Sequence, residues 1–280
     1  MLKIRYIIFL FWILLLCTIL FFYNKYCLNT VHLRSMFILI KNALLIYFNQ
    51  KDFRKHQKNL SYSVFKNLNF KLNVYGFKIT DQPILYICNH SSWLDIFILK
   101  YLLPDVYSIA HTSLLEQLPV KEIRKIFKSV CKKSIIYYDH KSKESKKVIR
   151  RKMLKHFNKG KSLLIYPEGM AYPITGPRTF YPGSFEFATQ NNILIQPITV
   201  KYKSDVTWGR KDENNSKLYQ KHHGDLVANM NKCKEQKENI VNVTFHPLVN
   251  PINFKNHLNL KKYCEVIITD EWINQHNYKK

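Results

Sequence analysis

The chain has 280 residues, 46% of them hydrophobic, and a formal net charge of +25. That length suits one large α/β domain or two small ones, and a charge of this size points to anionic partners: nucleic acid, a membrane surface or anionic substrates. The six cysteines form no Cys-x-x-Cys pair, which argues against a disulfide framework or a zinc site and for a reducing, cytoplasmic-side location.

Residues Tyr6 to Tyr23 carry no charge and are almost all apolar. Eighteen residues at ~1.5 Å rise reach roughly 27 Å, close to a bilayer core, and tyrosines at both ends suit interfacial anchoring. A cleavable signal peptide is the alternative, but no small-residue cleavage site follows; a retained anchor is predicted. Met36 to Phe48 is apolar but interrupted by Lys41 and Asn42, and reads as an interfacial helix or the second arm of a shallow hairpin. Basic residues flank both segments, with the downstream excess (Lys25, Arg34, Lys51, Arg54, Lys55) favouring a cytoplasmic main domain. The expected organisation is a membrane anchor over residues 1–50 and a catalytic domain over 51–280.

Beyond about residue 65, short apolar runs alternate with longer mixed segments. Strands are predicted at Ile84–Cys88, Ile135–Tyr138, Ser162–Tyr166, Ile193–Tyr202 and Ile240–His246. Helices are predicted at Ser92–Leu102, Val120–Val130, Glu144–Asn158, Ser184–Gln190 and Leu260–Gln275. This alternation predicts an α/β fold with a central, mainly parallel sheet flanked by helices. Residues 203–280 are expected to complete the sheet and add a C-terminal helix. Residues 121–161 hold sixteen Lys/Arg against three Asp/Glu, an excess that attracts anionic lipid headgroups or nucleic acid. The apolar N-terminus favours lipid.

His90 follows a buried-looking strand and opens a helix-like stretch, where α/β sheets place ligand chemistry. Asp95 lies five residues on. A bend at the junction lets its carboxylate orient the imidazole, whose other nitrogen then takes a proton from a hydroxyl. The spacing alone is cheap, since His111 has Glu116 at the same offset. Downstream context adds weight: Tyr166-Pro167-Glu168-Gly169 ends a strand, Phe180-Tyr181-Pro182-Gly183-Ser184-Phe185-Glu186-Phe187-Ala188 follows, then a strand with Ile195-Gln196-Pro197-Ile198.

In order and spacing these blocks resemble the glycerolipid acyltransferases, the 1-acylglycerol-3-phosphate acyltransferase family, over roughly residues 75 to 202. That family shows Asn-His-x4-Asp, Pro-Glu-Gly-Thr-Arg, Phe-x-x-Gly-x-Phe-x-x-Ala and a Val-Pro-Ile-like strand. The resemblance implies direct transfer of a fatty acyl group from coenzyme A or acyl carrier protein to a lysophospholipid hydroxyl, with no cofactor, no metal and no acyl-enzyme. By position His90 is the base and Asp95 its orienting partner. Asn89, Ser91, Glu168 and Gly169 fall among the implied acceptor-binding residues.

Two departures concern the acceptor. Met170-Ala171 stands where the family has Thr-Arg, so Arg178 is the guanidinium of the same loop that can grip a phosphate bidentately. His111 and Asp139-His140 stand where the family carries a Lys and an Asp-Arg. The predicted acceptor is 1-acylglycerol-3-phosphate, with an ornithine-type or other lysolipid as the alternative. A non-catalytic basic membrane protein binding nucleic acid or lipid headgroups is the reading from another class. Gly160-Lys161-Ser162 resembles a P-loop ending but precedes a strand rather than opening a helix.

Overall fold

The computed structural model describes residues 50–92, 94–112, 128, 133–138, 143–171, 176–203, 233 and 235–277. The predicted anchor segments Tyr6–Tyr23 and Met36–Phe48, the predicted helix Val120–Val130 apart from Lys128, and Asp139-His140 lie outside the described residues. Among the described residues no helix is long and apolar enough to cross a membrane.

After a 3₁₀ turn, helix α1 spans Phe53–Asn67. It buries Phe53, Ser61, Val64 and Phe65, the one stripe its mostly polar sequence allows. Asn69 ends it in the left-handed region at φ 55°, a conformation that asparagine tolerates, and turns the chain into β1 (Phe70–Tyr75). Then come β2 (Leu85–Cys88), α2 (Asp95–Leu102), β3 (Tyr107–His111), β4 (Ile135–Tyr138), α3 (Lys143–Phe157) and β5 (Leu163–Ile165). The chain continues through α4 (Gly183–Gln190), β6 (Ile195–Tyr202), β7 (Asn239–Phe245) and α5 (His257–Asn277).

One sheet orders these strands β1-β7-β6-β2-β5-β3-β4. All neighbours are parallel except β6 and β7, so β1 and β7 run opposite to the other five. Each β2 residue is buried, as expected of a strand covered on both faces. Its alternation sends Tyr86 and Cys88 toward α1 and α2, in a cluster with Val64, Phe65, Ile98, Leu99 and Val200. Leu85 and Ile87 face the opposite layer, with Ile149, Met153, Phe185, Leu260 and Ile268 from α3, α4 and α5. After β2 the chain builds β3, β4 and β5 on one side and then crosses to β6 on the other. The crevice at the C-terminal ends of β2, β5 and β6 is therefore a topological switch point.

The predicted strands all form, with ends shifted by one or two residues, and the predicted helix over Ser92–Leu102 begins instead at Asp95. Strands β1 and β3 and helix α1 were not predicted. Gly160-Lys161-Ser162 turns out to close α3. Gly160 adopts φ +71°, its N–H reaches the Phe157 carbonyl at 2.9 Å, and Lys161 N–H reaches that of His156 at 3.1 Å. This is a Schellman ending.

Candidate active site

The loop residues His90, Ser91 and Ser92 gather around one carboxylate. Oδ2 of Asp95 accepts the N–H of Ser91 at 2.8 Å and of Ser92 at 2.9 Å, and faces His90 Nδ1 at 2.9 Å. The five-residue spacing thus closes because Asp95, first residue of α2, reaches back over its own loop. Its other oxygen, Oδ1, accepts the hydroxyl of Tyr202 at 2.6 Å. The Asp95 side chain is 0% exposed and that of His90 12%. A charge withdrawn from water this completely needs such a shell of donors. With Nδ1 donating to Asp95, Nε2 is the imidazole nitrogen that can accept a proton.

Asn89 is fully buried. Its Oδ1 accepts Val200 N–H at 2.8 Å while Nδ2 donates to the Val200 carbonyl at 2.9 Å and to Ser91 Oγ at 2.8 Å. The amide therefore continues the β2–β6 ladder one residue beyond the strand, and with it fixes where the His90 loop leaves the sheet. Ser91 is likewise buried. Sequence reasoning placed both among acceptor-binding residues; their polar atoms are engaged within the protein.

From the end of β5, Tyr166 stacks on His90 with ring centroids 4.2 Å apart and an interplanar angle of 22°. Pro167 and Glu168 then make a turn closed by Gly169 N–H on the Tyr166 carbonyl at 3.1 Å. Gly169 sits at φ +77°, and a Cβ there would lie 3.3 Å from the Tyr181 ring. Glu168 is buried. Its Oε1 accepts His90 N–H at 2.7 Å and its Oε2 accepts Arg178 N–H at 3.0 Å. Burial pushes this carboxyl up to about 8, against the pull of those two N–H groups. Arg178 also lowers it by its charge.

His90, Asp95, Glu168, Gly169 and Arg178 are thus brought together. His111 closes β3 and pairs with Tyr138 in register. It stands on the same edge of the sheet but two strands from β2, roughly 10 Å away at normal strand spacing. Met170 and Ala171 follow the Glu168 turn, with Met170 exposed and Ala171 buried. Sequence reasoning singled out neither Tyr166 nor Tyr202. Tyr166 directly precedes the Pro-Glu-Gly block, the signal by which it was findable.

Comparison with known proteins bears on the family and the fold. A family model described as Acyltransferase matches residues 71–201. The lyso-ornithine lipid O-acyltransferase of Pseudomonas aeruginosa is 26% identical over 140 residues, 49% of this chain and 50% of that protein. The chain therefore matches about half the length of that curated relative. The crystal structure of the 1-acyl-sn-glycerophosphate (LPA) acyltransferase PlsC from Thermotoga maritima superposes with a TM-score of 0.57 at 15% identity, over 94% of this chain and 95% of that one; it shares the fold. The family match spans the sheet from β1 to β6 with His90, Asp95, Glu168 and Arg178 inside it, so residues 71–201 form an acyltransferase domain and the chain is similar to the lysolipid acyltransferases.

Proposed function

We propose that the protein is an O-acyltransferase that moves a fatty acyl group from a coenzyme A or acyl carrier protein thioester to the free hydroxyl of a lysophospholipid. The observation that carries this reading is the 2.9 Å contact between His90 Nδ1 and Asp95 Oδ2 at the tip of the central parallel strands. Nε2 removes the proton of the acceptor hydroxyl as its oxygen attacks the thioester carbonyl. The C–S bond breaks, and the proton passes from the imidazolium to the departing thiolate. Asp95 keeps the imidazole in the Nδ1–H form and balances the imidazolium. Asn89 and Glu168 hold the His90 loop from two sides, and Arg178 supplies the guanidinium for the acceptor's phosphate. No cofactor is needed, only the thioester as co-substrate. The apolar N-terminal stretch of the sequence and the strongly basic composition support a location on the cytoplasmic face of an anionic membrane. Nucleic acid is not part of this reading.

The proposed acceptor is 1-acylglycerol-3-phosphate, giving phosphatidic acid. A second reading, an ornithine-type lysolipid, is favoured by the P. aeruginosa relative and by Met170-Ala171 in place of Thr-Arg. Release of free thiol from an acyl thioester, measured with each acceptor in turn, separates the two. His90→Ala is expected to reduce turnover by about 10²–10⁴-fold while leaving the fold intact. Undiminished turnover in that variant would remove His90 as the base.

A further inference from the structure

The two oxygens of Asp95 are satisfied from different parts of the chain. Oδ2 is bound by its own loop, through Ser91, Ser92 and His90. Oδ1 is bound by Tyr202, 107 residues further on, at 2.6 Å. We propose that Tyr202 is a positioning residue for the His90–Asp95 pair: its hydroxyl fixes the rotation of the carboxylate about Cβ–Cγ and so aims Oδ2 at Nδ1. The proposal rests on the acyl-transfer role given to that pair above.

Tyr202 is built to do this. It is the last residue of β6, held in register opposite Val241 of β7. Its ring meets Phe70 of β1 edge-on, with centroids 6.0 Å apart. The tyrosine is thus fixed by the sheet, whereas the carboxylate stands at the first residue of α2, where the loop enters the helix. One end of the hydrogen bond is rigid, and it sets the other. Burial and the charge of Asp95 raise the phenol well above its ordinary range, so it stays a donor wherever the protein is folded. The Ser92 hydroxyl adds a hydrogen bond to the phenol, which continues the chain of donors back into the loop. The other groups around the pair approach elsewhere. Tyr166 lies against the face of the imidazole and Glu168 takes the His90 backbone N–H, with the Arg178 charge beyond it. Cys88 is buried beneath, its thiol pushed up by burial and then by Asp95. Tyr202 also lies one residue past the stretch matched by the family model, so the family's blocks do not assign it.

Tyr202→Phe removes one oxygen and keeps the ring. The first readout needs no turnover: ¹⁵N NMR of the imidazole in the resting protein, with His90→Gln to assign the signal. In the parent the neutral imidazole carries its proton on Nδ1. In Tyr202→Phe a carboxylate held through Oδ2 alone is less firmly oriented and admits a measurable share of the Nε2–H form. In assay, kcat is expected to fall about tenfold, the equivalent of one charge-assisted hydrogen bond, with KM changed by less than twofold. In an Asp95→Asn background, Tyr202→Phe is expected to cost nothing further. An unchanged tautomer in the folded variant, or losses that add in the double variant, would overturn the proposal. So would a Tyr202→Phe protein that simply unfolds, since Tyr202 would then serve stability alone. A parent protein without acyl transfer would instead sink the functional reading, while the tautomer measurement still decides this one.

Discussion

Glu168 joins two loops through one carboxyl, and its protonation couples the site to stability. Its value in the fold, about 8, lies above the ordinary 4.5, chiefly through burial. A carboxyl shifted this way binds more protons folded than unfolded. Its contribution to stability is full below pH 4.5 and is lost as pH rises to about 8. Across that window it adds a downward slope of at most about 1.4 kcal/mol per pH unit. Glu168→Gln removes the titration but turns an NH₂ toward one of two N–H donors, a loss of about 1–3 kcal/mol. Urea unfolding of both proteins between pH 4.5 and 8 checks this. The parent is expected to lose stability more steeply than the variant with rising pH, and parallel curves would contradict the coupling. Because Glu168 holds His90 by its backbone, the variant is also expected to lose turnover. His90 and Asp95 were legible because a buried strand precedes them and the Tyr166 and Phe180 blocks follow in order. Tyr202 was not, since nothing along the chain signals that a strand-ending tyrosine meets a carboxylate 107 residues earlier.

Among the elements, legibility followed burial. β2 is buried at every position and reads as an unbroken apolar run, while β6 is buried throughout although it carries Gln196, Thr199 and Lys201 among its apolar residues. β1 carries Lys71 and Asn73 and is half exposed at the sheet's edge. β3 spends two of its five positions on Ser108 and His111. Neither offers a run for periodicity to find, and sheet pairing rather than composition makes them strands. α1 escaped for the converse reason, since its few apolar residues cover only a narrow stripe. Turn glycines show a similar split between chain and context. Gly76 and Gly160 have similar φ, +72° and +71°, but a Cβ on Gly76 would stand 2.0 Å from the Phe245 carbonyl oxygen, while nothing lies within 4 Å at Gly160. Gly76→Ala is therefore expected to cost about 3 kcal/mol or more, strain plus a backbone clash. Gly160→Ala carries the strain alone, about 1–2 kcal/mol. Denaturant midpoints order the two, and an equal or reversed order would show that the β1–β7 edge yields more readily than its packing implies.

At the scale of the molecule, the charge of +25 is unevenly placed. α3 exposes Lys146, Lys147, Arg151, Lys152 and Lys155, and the turn after it adds Lys159 and Lys161. Its inner face packs Ile149 and Met153 into the core, and its one acid, Glu144, is paired with Arg151. α3 joins the C-terminal end of β4 to the start of β5, so it runs antiparallel to the strands. Its first turn stands at the edge that holds His90. A helix of 15 residues is roughly 22 Å long, enough to lay all five cations along a headgroup surface. Each basic residue near an anionic bilayer is worth up to about 1 kcal/mol. Replacing the five helical cations with Gln is therefore expected to weaken partition onto vesicles rich in anionic lipid by at least about tenfold at 0.1 M salt. The difference is expected to vanish near 1 M salt, where the screening length falls to about 3 Å. Partition onto neutral phosphatidylcholine vesicles is expected to be the same for both proteins, because the apolar contribution is untouched. Vesicle co-sedimentation at the two ionic strengths measures all three quantities. A variant that keeps its affinity for anionic vesicles but loses salt-sensitive binding to duplex DNA would make the charge a nucleic-acid surface instead, and would separate it from the acyl-transfer site altogether.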